Sequence, residues 1–303
     1  MDKPMDAFLR MGLVHFMAFP ALGGGQGPWE ETVRTIALDP FFTALEITHI
    51  VDDGERARVR DLLRLANLAV GFGAHPTILG GKLDINSLDD AVRASALAKL
   101  KELLDEAIFM GAESFVVLSG KDPGDQARPA ALDALVRSLS ELCVYSAERG
   151  GPKVVAEVFD RAVDKCCLLG PADLAAEVAR RVSESQANFG LLVDLSHIPL
   201  LGESPEQALI PVESWLTGAH LGNAVLDKTC AGHGDNHPIF GSPGSVNGLE
   251  EMVAFLRTLM QIGFLGPERR PMVSFEVKPL PGQDSLVVIA NAKRMMNAAW
   301  ALV

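Results

Sequence analysis

The sequence predicts an α/β fold, a single (β/α)8 TIM barrel that takes in the whole chain, residues 1–303. Eight short apolar runs rich in Val, Leu and Phe do not alternate with polar residues, which is typical of parallel strands covered on both faces. Helical patterns separate these runs, and eight such repeats over roughly 250–300 residues fit the length of a barrel. An open doubly wound sheet is the alternative. It needs a phosphate-binding loop, and the glycine-rich GGGQG at 23–27 is not GxGxxG.

Each element of the barrel has a local sequence signal. The helix expected at 87–111 begins at Ser87 with acids in its first turn and ends at Gly111. A stretch rich in Gly and Pro at 230–245 indicates one long loop after the seventh strand, at about 224–247. In chain order, strands are expected at 11–17, 43–50, 69–75, 113–119, 153–159, 188–194, 218–223 and 272–277. Helices are expected at 54–68, 87–111, 130–151, 173–185, 248–263 and 289–303.

Composition and charge narrow the class of protein. The formal net charge of −12 repels a phosphate backbone, so we expect no nucleic-acid partner. No run of about 18 uncharged apolar residues exists, so we expect no transmembrane helix and no membrane partner. The N-terminal MDKPMDAFLRMG is too polar for a signal peptide. The four cysteines show no CxxC spacing, which favours reduced thiols and a cytoplasmic protein.

The seven histidines all lie on or just after a predicted strand. In a (β/α)8 barrel the C-terminal ends of the strands and the loops that follow them form the active face. We therefore expect the histidines to converge on one mouth, although any one of them could instead be a buried structural residue. They are His15, His49, His75, His197, His220, His233 and His237.

Three acidic residues and one histidine on the last four predicted strands support this expectation. Strands five to eight carry, in order, Glu157, Asp194, His220 and Glu276. A carboxylate within an apolar strand is costly to bury unless it is paired or bound to a metal. Three carboxylates and one imidazole suit a divalent cation, with Mn²⁺ or Mg²⁺ favoured and Co²⁺ or Zn²⁺ as alternatives. Taken singly, the motifs are weak, because Asp194 could cap the next helix and either glutamate could form a buried ion pair.

The ordered set Glu157, Asp194-x-x-His197, His220 and Glu276 resembles the xylose isomerase-like TIM barrel superfamily, in its sugar phosphate isomerase/epimerase-like group. The resemblance covers nearly the whole chain. It implies that Glu157, Asp194, His220 and Glu276 hold one divalent metal, and that His197 touches the substrate or a water beside the metal. It also implies that Glu157 and Glu276 are the acid/base pair, on opposite faces of a sugar. Members of this superfamily are commonly homo-oligomers.

The expected function is a metal-dependent isomerase or epimerase of a sugar, keto-sugar or cyclitol. A divalent cation that holds the carbonyl and a neighbouring hydroxyl stabilises the enediolate formed by proton removal. A carboxylate on each face then removes the proton from one side and returns it from the other. The leading alternative is a lyase or dehydratase acting on a keto-sugar, keto-glycoside or inosose, because the same first step can end by expelling an oxygen.

The chain departs from the epimerase pattern in the long loop. Asp235-Asn236-His237 stands where the ketose epimerases have an arginine, and it resembles the endonuclease IV pattern that binds an additional zinc. An endonuclease IV-like abasic-site nuclease is therefore a minor alternative. That enzyme also needs a histidine on the fourth strand, where this chain has Ser119. Whether Asp235 and His237 bind a second metal stays open at this point.

Further polar residues near the strand ends are expected to bind the substrate. Besides His197, these are His237, Lys278, Glu46 and His75. Lys278 has the same strand facing as Glu276 by alternation, although it could instead pair with an acid of the barrel. Three aromatic residues of the first loop region are expected either to cover a sugar face or to pack in the core: Phe16, Phe19 and Trp29.

Overall fold

A computed structural model describes residues 4–230 and 232–303, and these residues form the predicted barrel. Its eight strands are β1 (Arg10–Leu13), β2 (Ala44–Ile47), β3 (Ala69–Gly73), β4 (Ser114–Val117), β5 (Lys153–Val158), β6 (Phe189–Asp194), β7 (Leu216–Gly222) and β8 (Met272–Glu276). Neighbouring strands pair in parallel from β2 through β8 to β1. A parallel bridge between Val14 and Glu46 joins β1 to β2 and closes the ring, and the Thr43 backbone N–H donates to the Met11 carbonyl oxygen at 2.8 Å across the same junction. The prediction of a single (β/α)8 barrel is confirmed.

Seven helices of the described residues cover the outside of the barrel. They are α1 (Trp29–Ala37), α2 (Asp53–Leu65), α3 (Asp90–Met110), α4 (Arg128–Ala147), α5 (Ala172–Ser183), α6 (Leu249–Gln261) and α7 (Ser285–Trp300). Each predicted helix is present with slightly different ends, whereas α1 was not predicted. Short helices at His15–Ala18, His75–Gly81, His197–Leu201 and Pro205–Leu209 follow strand ends or fill the connection after β6. None of these helices is long and apolar enough to cross a membrane.

The interior of the barrel is layered, because side chains of a strand point alternately to its two faces. Val116, Val155 and Leu192 form a separate buried cluster inside the ring. Two residues further along their strands, Glu157 and Asp194 point to the same side. An apolar layer therefore lies beneath a layer of carboxylates at the mouth.

The long loop between β7 and α6 is fastened at its two ends. The Asn247 backbone N–H donates to Asn223 Oδ1 at 2.8 Å, and the Asn247 side-chain amide donates to the carbonyl oxygens of Leu195 and Gly222. All four of these residues are buried. The loop carries Asp235 back over the barrel mouth. It runs from 223 to 248, about one residue longer at each end than expected.

Candidate metal centre

Four side chains from four successive strands meet at the barrel mouth. Glu157, Asp194, His220 and Glu276 each offer a ligand atom, and these atoms all lie within 4.8 Å of one another. Strand register brings them together, since Asp194 pairs with His220 across β6 and β7, and Glu276 pairs with Gly222 across β7 and β8. The set is the one expected from the sequence.

The donor set fits a divalent cation. Glu157 Oε1 and Asp194 Oδ2 are buried and have no hydrogen-bond partner, which costs free energy unless a cation satisfies them. Three carboxylates and one imidazole suit a hard or borderline metal ion. The absence of a side chain at Gly222 makes room for these groups. A Cβ there would lie 2.8 Å from Asp194 Oδ1 and 2.7 Å from His237 Nδ1.

Both ring nitrogens of His220 face carboxylates. Nδ1 lies 2.7 Å from Glu276 Oε2, and Nε2 lies 3.0 Å from Glu46 Oε1. Glu46 comes from the opposite wall and is buried inside the ring. Gly71 packs against it so closely that a Cβ there would lie 2.8 Å from Glu46 Cγ. Glu46 therefore stands behind His220, where a carboxylate fixes the orientation and tautomer of a ligating imidazole.

A second group of side chains adjoins the first. His197 Nε2 and His237 Nε2 lie 3.2 Å and 2.9 Å from the same atom, Asp235 Oδ1. Each ring is anchored at Nδ1 by a backbone carbonyl oxygen, at 2.8 Å and 3.1 Å. Ligand atoms of Asp194, His197 and His237 also lie within 4.8 Å of one another. Each imidazole is thus held between a backbone carbonyl oxygen and the Asp235 carboxylate, beside the first group.

The carboxylates and imidazoles shift one another's protonation. Burial and the Glu276 carboxylate raise the pKa of Asp194 to about 6. Burial lowers the pKa of His237, but the carboxylates of Asp235 and Glu276 outweigh it and raise the pKa to about 9. The pKa of His220 is likewise raised well above 6.5 in spite of burial, chiefly by Glu46 and Glu276. A metal ion entering the centre must therefore displace protons.

His75 and Lys278 lie at two edges of the centre. His75 Nε2 is 2.8 Å from Glu157 Oε2. The Lys278 backbone N–H donates to the His237 carbonyl oxygen at 2.8 Å, and its side chain lines an adjoining cavity. The structure records no ion pair for the Lys278 ammonium with any described residue. The alternative in which Lys278 pairs with a barrel acid is therefore not what the structure shows.

Three histidines expected at the mouth lie elsewhere. His15 is fully buried against Trp29, with ring centroids 5.1 Å apart, and neither of its ring nitrogens has a hydrogen-bond partner. His49 Nδ1 lies 2.5 Å from Glu106 Oε2, on the helix α3. His233 Nδ1 bonds a backbone carbonyl within the long loop. Strand-end position alone is therefore too weak a signal, because a strand-end side chain can also turn outward.

The sequence analysis missed the support that the loop after β5 gives to Asp235. Lys165 Nζ lies 3.3 Å from Asp235 Oδ2, and Asp164 Oδ2 accepts the Asp235 backbone N–H at 2.9 Å. No sequence pattern links these residues, since about 70 positions separate them and only the closed ring brings their loops together.

The chain is thus a closed parallel (β/α)8 barrel with carboxylates and imidazoles gathered at its strand ends. Residues 36–283 match the family described as xylose isomerase-like TIM barrel, and the chain belongs to that family. No curated protein sequence matches the chain significantly.

Solved structures with the same fold cover nearly the whole chain. D-psicose 3-epimerase from Clostridium cellulolyticum H10, with D-tagatose, is 16% identical with a TM-score of 0.67, over 97% of this chain and 98% of that chain. The 3-keto-D-glucoside 4-epimerase YcjR from E. coli is 16% identical with a TM-score of 0.67, over 95% and 99%. The IolI protein with a bound zinc atom is 15% identical with a TM-score of 0.72, over 96% and 98%. Identities this low establish a shared fold.

Proposed function

We propose that the protein is a divalent-metal-dependent isomerase or epimerase of a sugar, keto-sugar or cyclitol. One observation carries the proposal: three carboxylates and an imidazole, nearly all fully buried, offer ligand atoms within 4.8 Å of one another at the barrel mouth. Membership of the xylose isomerase-like family and the sugar epimerases among the similar structures support it.

In this proposal Glu157, Asp194, His220 and Glu276 hold the metal. The three carboxylates favour Mn²⁺ or Mg²⁺, and Co²⁺ or Zn²⁺ also accept such a set. A cation held by these residues would supply Lewis acidity to a substrate carbonyl and would stabilise negative charge developing on its oxygen. Glu46 holds the imidazole of His220 in place from behind.

The acid/base work falls to Glu157 and Glu276. Glu157 Oε1 and Glu276 Oε2 lie 3.8 Å and 2.7 Å from the same atom, His220 Nδ1, and they come from β5 and β8. One carboxylate removes the proton next to the carbonyl, and the other returns it on the opposite face. His75, His197, His237 and Lys278 bind substrate oxygens around this pair.

A lyase or dehydratase acting on a keto-sugar, keto-glycoside or inosose is the second candidate. The same carboxylate removes the proton, and an oxygen on the neighbouring carbon then departs. The observation that favours it is His237, whose pKa, raised to about 9 by Asp235 and Glu276 against the effect of burial, keeps a proton available for a leaving oxygen at neutral pH. An abasic-site nuclease has less support, because Ser119 stands where a further histidine ligand is needed and the net charge is −12.

The test combines metal analysis with a keto-sugar panel followed by NMR in D₂O. We expect a divalent metal in the purified or reconstituted protein, and deuterium gained at one carbon with the rest of the mass retained. Loss of water or of an aglycone would instead assign the lyase reaction. Glu157→Gln and Glu276→Gln should each abolish deuterium exchange, and Glu106→Gln, a buried glutamate outside the barrel, should not. A protein that takes up no divalent metal on titration refutes the proposal.

A further inference from the structure

A cavity of about 670 Å³ opens beside the candidate centre, between the loop after β1 and the loop after β8. Most of its wall is apolar and includes Phe19, Ala21, Leu22, Pro28, Leu280 and Pro281. Polar residues also line it, and they are Thr32, Asn236, Lys278, Gln283 and Ser285. Of the three aromatic residues considered for a lid, only Phe19 lines this cavity, while Phe16 and Trp29 are buried in the core.

The cavity adjoins the centre on its open side. Asn236 stands between Asp235 and His237 in the chain, and Lys278 follows two residues after Glu276. Among the four ligand side chains, Glu276 is 13% exposed, whereas the other three are at most 2% exposed. Glu276 is therefore the ligand that solvent reaches most easily, and Lys278, two residues further along the chain, lines the cavity.

The apolar part of the wall, from Phe19 to Leu22 and from Pro279 to Pro281, suits a group without hydroxyls better than a sugar ring. A sugar carries hydroxyls on nearly every carbon, and each hydroxyl buried against an apolar wall without a partner costs roughly 1–3 kcal/mol. The volume of about 670 Å³ falls within the range of about 300–1,000 Å³ that takes a drug-sized ligand. Prolines on both sides, among them Pro28 and Pro281, stiffen the wall and lower the entropic cost of binding a rigid group.

We propose that this cavity is an aglycone pocket, which binds an apolar ring-bearing substituent attached to the reacting sugar. The substrate is then a glycoside rather than a free sugar, an inference that rests on the proposed function. The sugar lies at the metal centre, and the substituent extends between Phe19 and Leu280. Lys278, with no ion pair among the described residues, lies at the junction, where its ammonium can donate to the linking oxygen.

A second cavity, of about 470 Å³, differs from the first in its charge. Its wall is also partly apolar, with Ile78, Leu79, Leu83 and Leu118, but it carries three lysines, Lys82, Lys121 and Lys165, and Asp84. Three ammonium groups favour an anionic group over a neutral aryl ring. This cavity therefore supplies the matched control for the experiment.

The experiment measures binding, so that it does not depend on turnover. Calorimetric titration of the metal-loaded protein compares 4-nitrophenyl with methyl D-glucopyranoside, each as both anomers. Burial of an aryl ring is expected to make the nitrophenyl compound bind on the order of 10-fold to 60-fold more tightly. Ala21→Trp, which fills the pocket, should remove this preference, and Leu79→Trp, which fills the second cavity, should keep it. Thermal melting of both variants checks that they fold.

Three results would overturn the inference. They are equal or undetectable binding of the two compounds, a preference that survives Ala21→Trp, and a preference lost in Leu79→Trp. Failure of the proposed function is recognised separately, by the absence of metal uptake and of deuterium exchange in the keto-sugar panel. An aryl preference can persist in that case, and turnover of free keto-sugars can persist without an aryl preference.

Discussion

Replacement of Glu46 by glutamine tests how the centre is held together. The substitution keeps the size of the side chain and allows its carbonyl oxygen to accept from His220 Nε2, now 3.0 Å from the carboxylate. It removes the negative charge that makes His220 Nδ1 a better metal ligand. Since Glu46 and His220 are both buried, solvent cannot replace that charge.

We expect Glu46→Gln to weaken metal binding by about 10-fold to 100-fold, or about 1.4–2.7 kcal/mol. A hydrogen bond to a charged group is worth about 1.5–3 kcal/mol, and the glutamine retains the neutral part of it. Calorimetric titration of the metal-free protein with Mn²⁺ measures the dissociation constant directly. Turnover at saturating metal, measured alongside, separates an effect on the metal from an effect on the substrate.

Glu106→Gln is the matched control. Glu106 is also a buried glutamate bonded to a histidine, His49, but it lies on α3 outside the ring. Its replacement should leave the metal dissociation constant within about twofold of the wild-type value. The reasoning fails if Glu46→Gln binds Mn²⁺ as tightly as the wild type. A raised KM with unchanged metal affinity would instead support the sequence-based expectation that Glu46 binds the substrate.

Three further predictions concern acidity and space. As the pH is lowered, metal affinity measured by titration should fall about tenfold per pH unit near neutrality, and more steeply below about pH 6. The reason is that the cation displaces protons from His220 and Asp194. The pKa values of both groups are raised, that of Asp194 to about 6. Burial lowers the pKa of His15 from 6.5 to about 3, so the unfolded chain binds more protons below pH 6.5 and stability is lost as the pH falls. Urea unfolding at pH 7 and pH 5 should show that His15→Phe removes up to about 1.4 kcal/mol per pH unit of this loss in the free energy of unfolding. Gly222→Ala should weaken Mn²⁺ binding by about tenfold or more in the calorimetric titration, since its Cβ would lie 2.8 Å from an Asp194 oxygen. Unchanged affinity would show that the backbone moves to accommodate the Cβ.

The pattern of apolar runs was sufficient to predict the barrel, because strands buried on both faces appear in the sequence as short, continuous apolar runs separated by helical patterns. Helix α1 escaped notice although Trp29, Val33 and Ile36 follow a helical spacing. These three are its only buried residues, and five polar or charged residues lie between them. A short helix that buries so few side chains leaves a weak signal.

The candidate ligands could be predicted because each is a polar residue in an otherwise apolar strand. What surrounds them could not. Glu46 was recognised as a residue of the mouth, but its contact with His220 spans 174 positions and depends on closure of the ring. The outward turn of His49 toward Glu106 depends in the same way on where α3 packs. Contacts across a barrel depend on its circumference and on the register of its strands, and a local sequence pattern predicts neither.

Glu46 takes part in the closure of the barrel as well as in the centre. Its backbone forms a bridge with Val14 at the junction of β1 and β2, while its side chain reaches across the ring to His220 on β7. A cation bound by His220 would thus be linked, through the side chain of Glu46, to the junction between β1 and β2. When no metal is bound, we expect the barrel to open most readily at this junction. Amide hydrogen exchange along β1 and β2 should therefore be faster in the metal-free protein than in the metal-loaded protein.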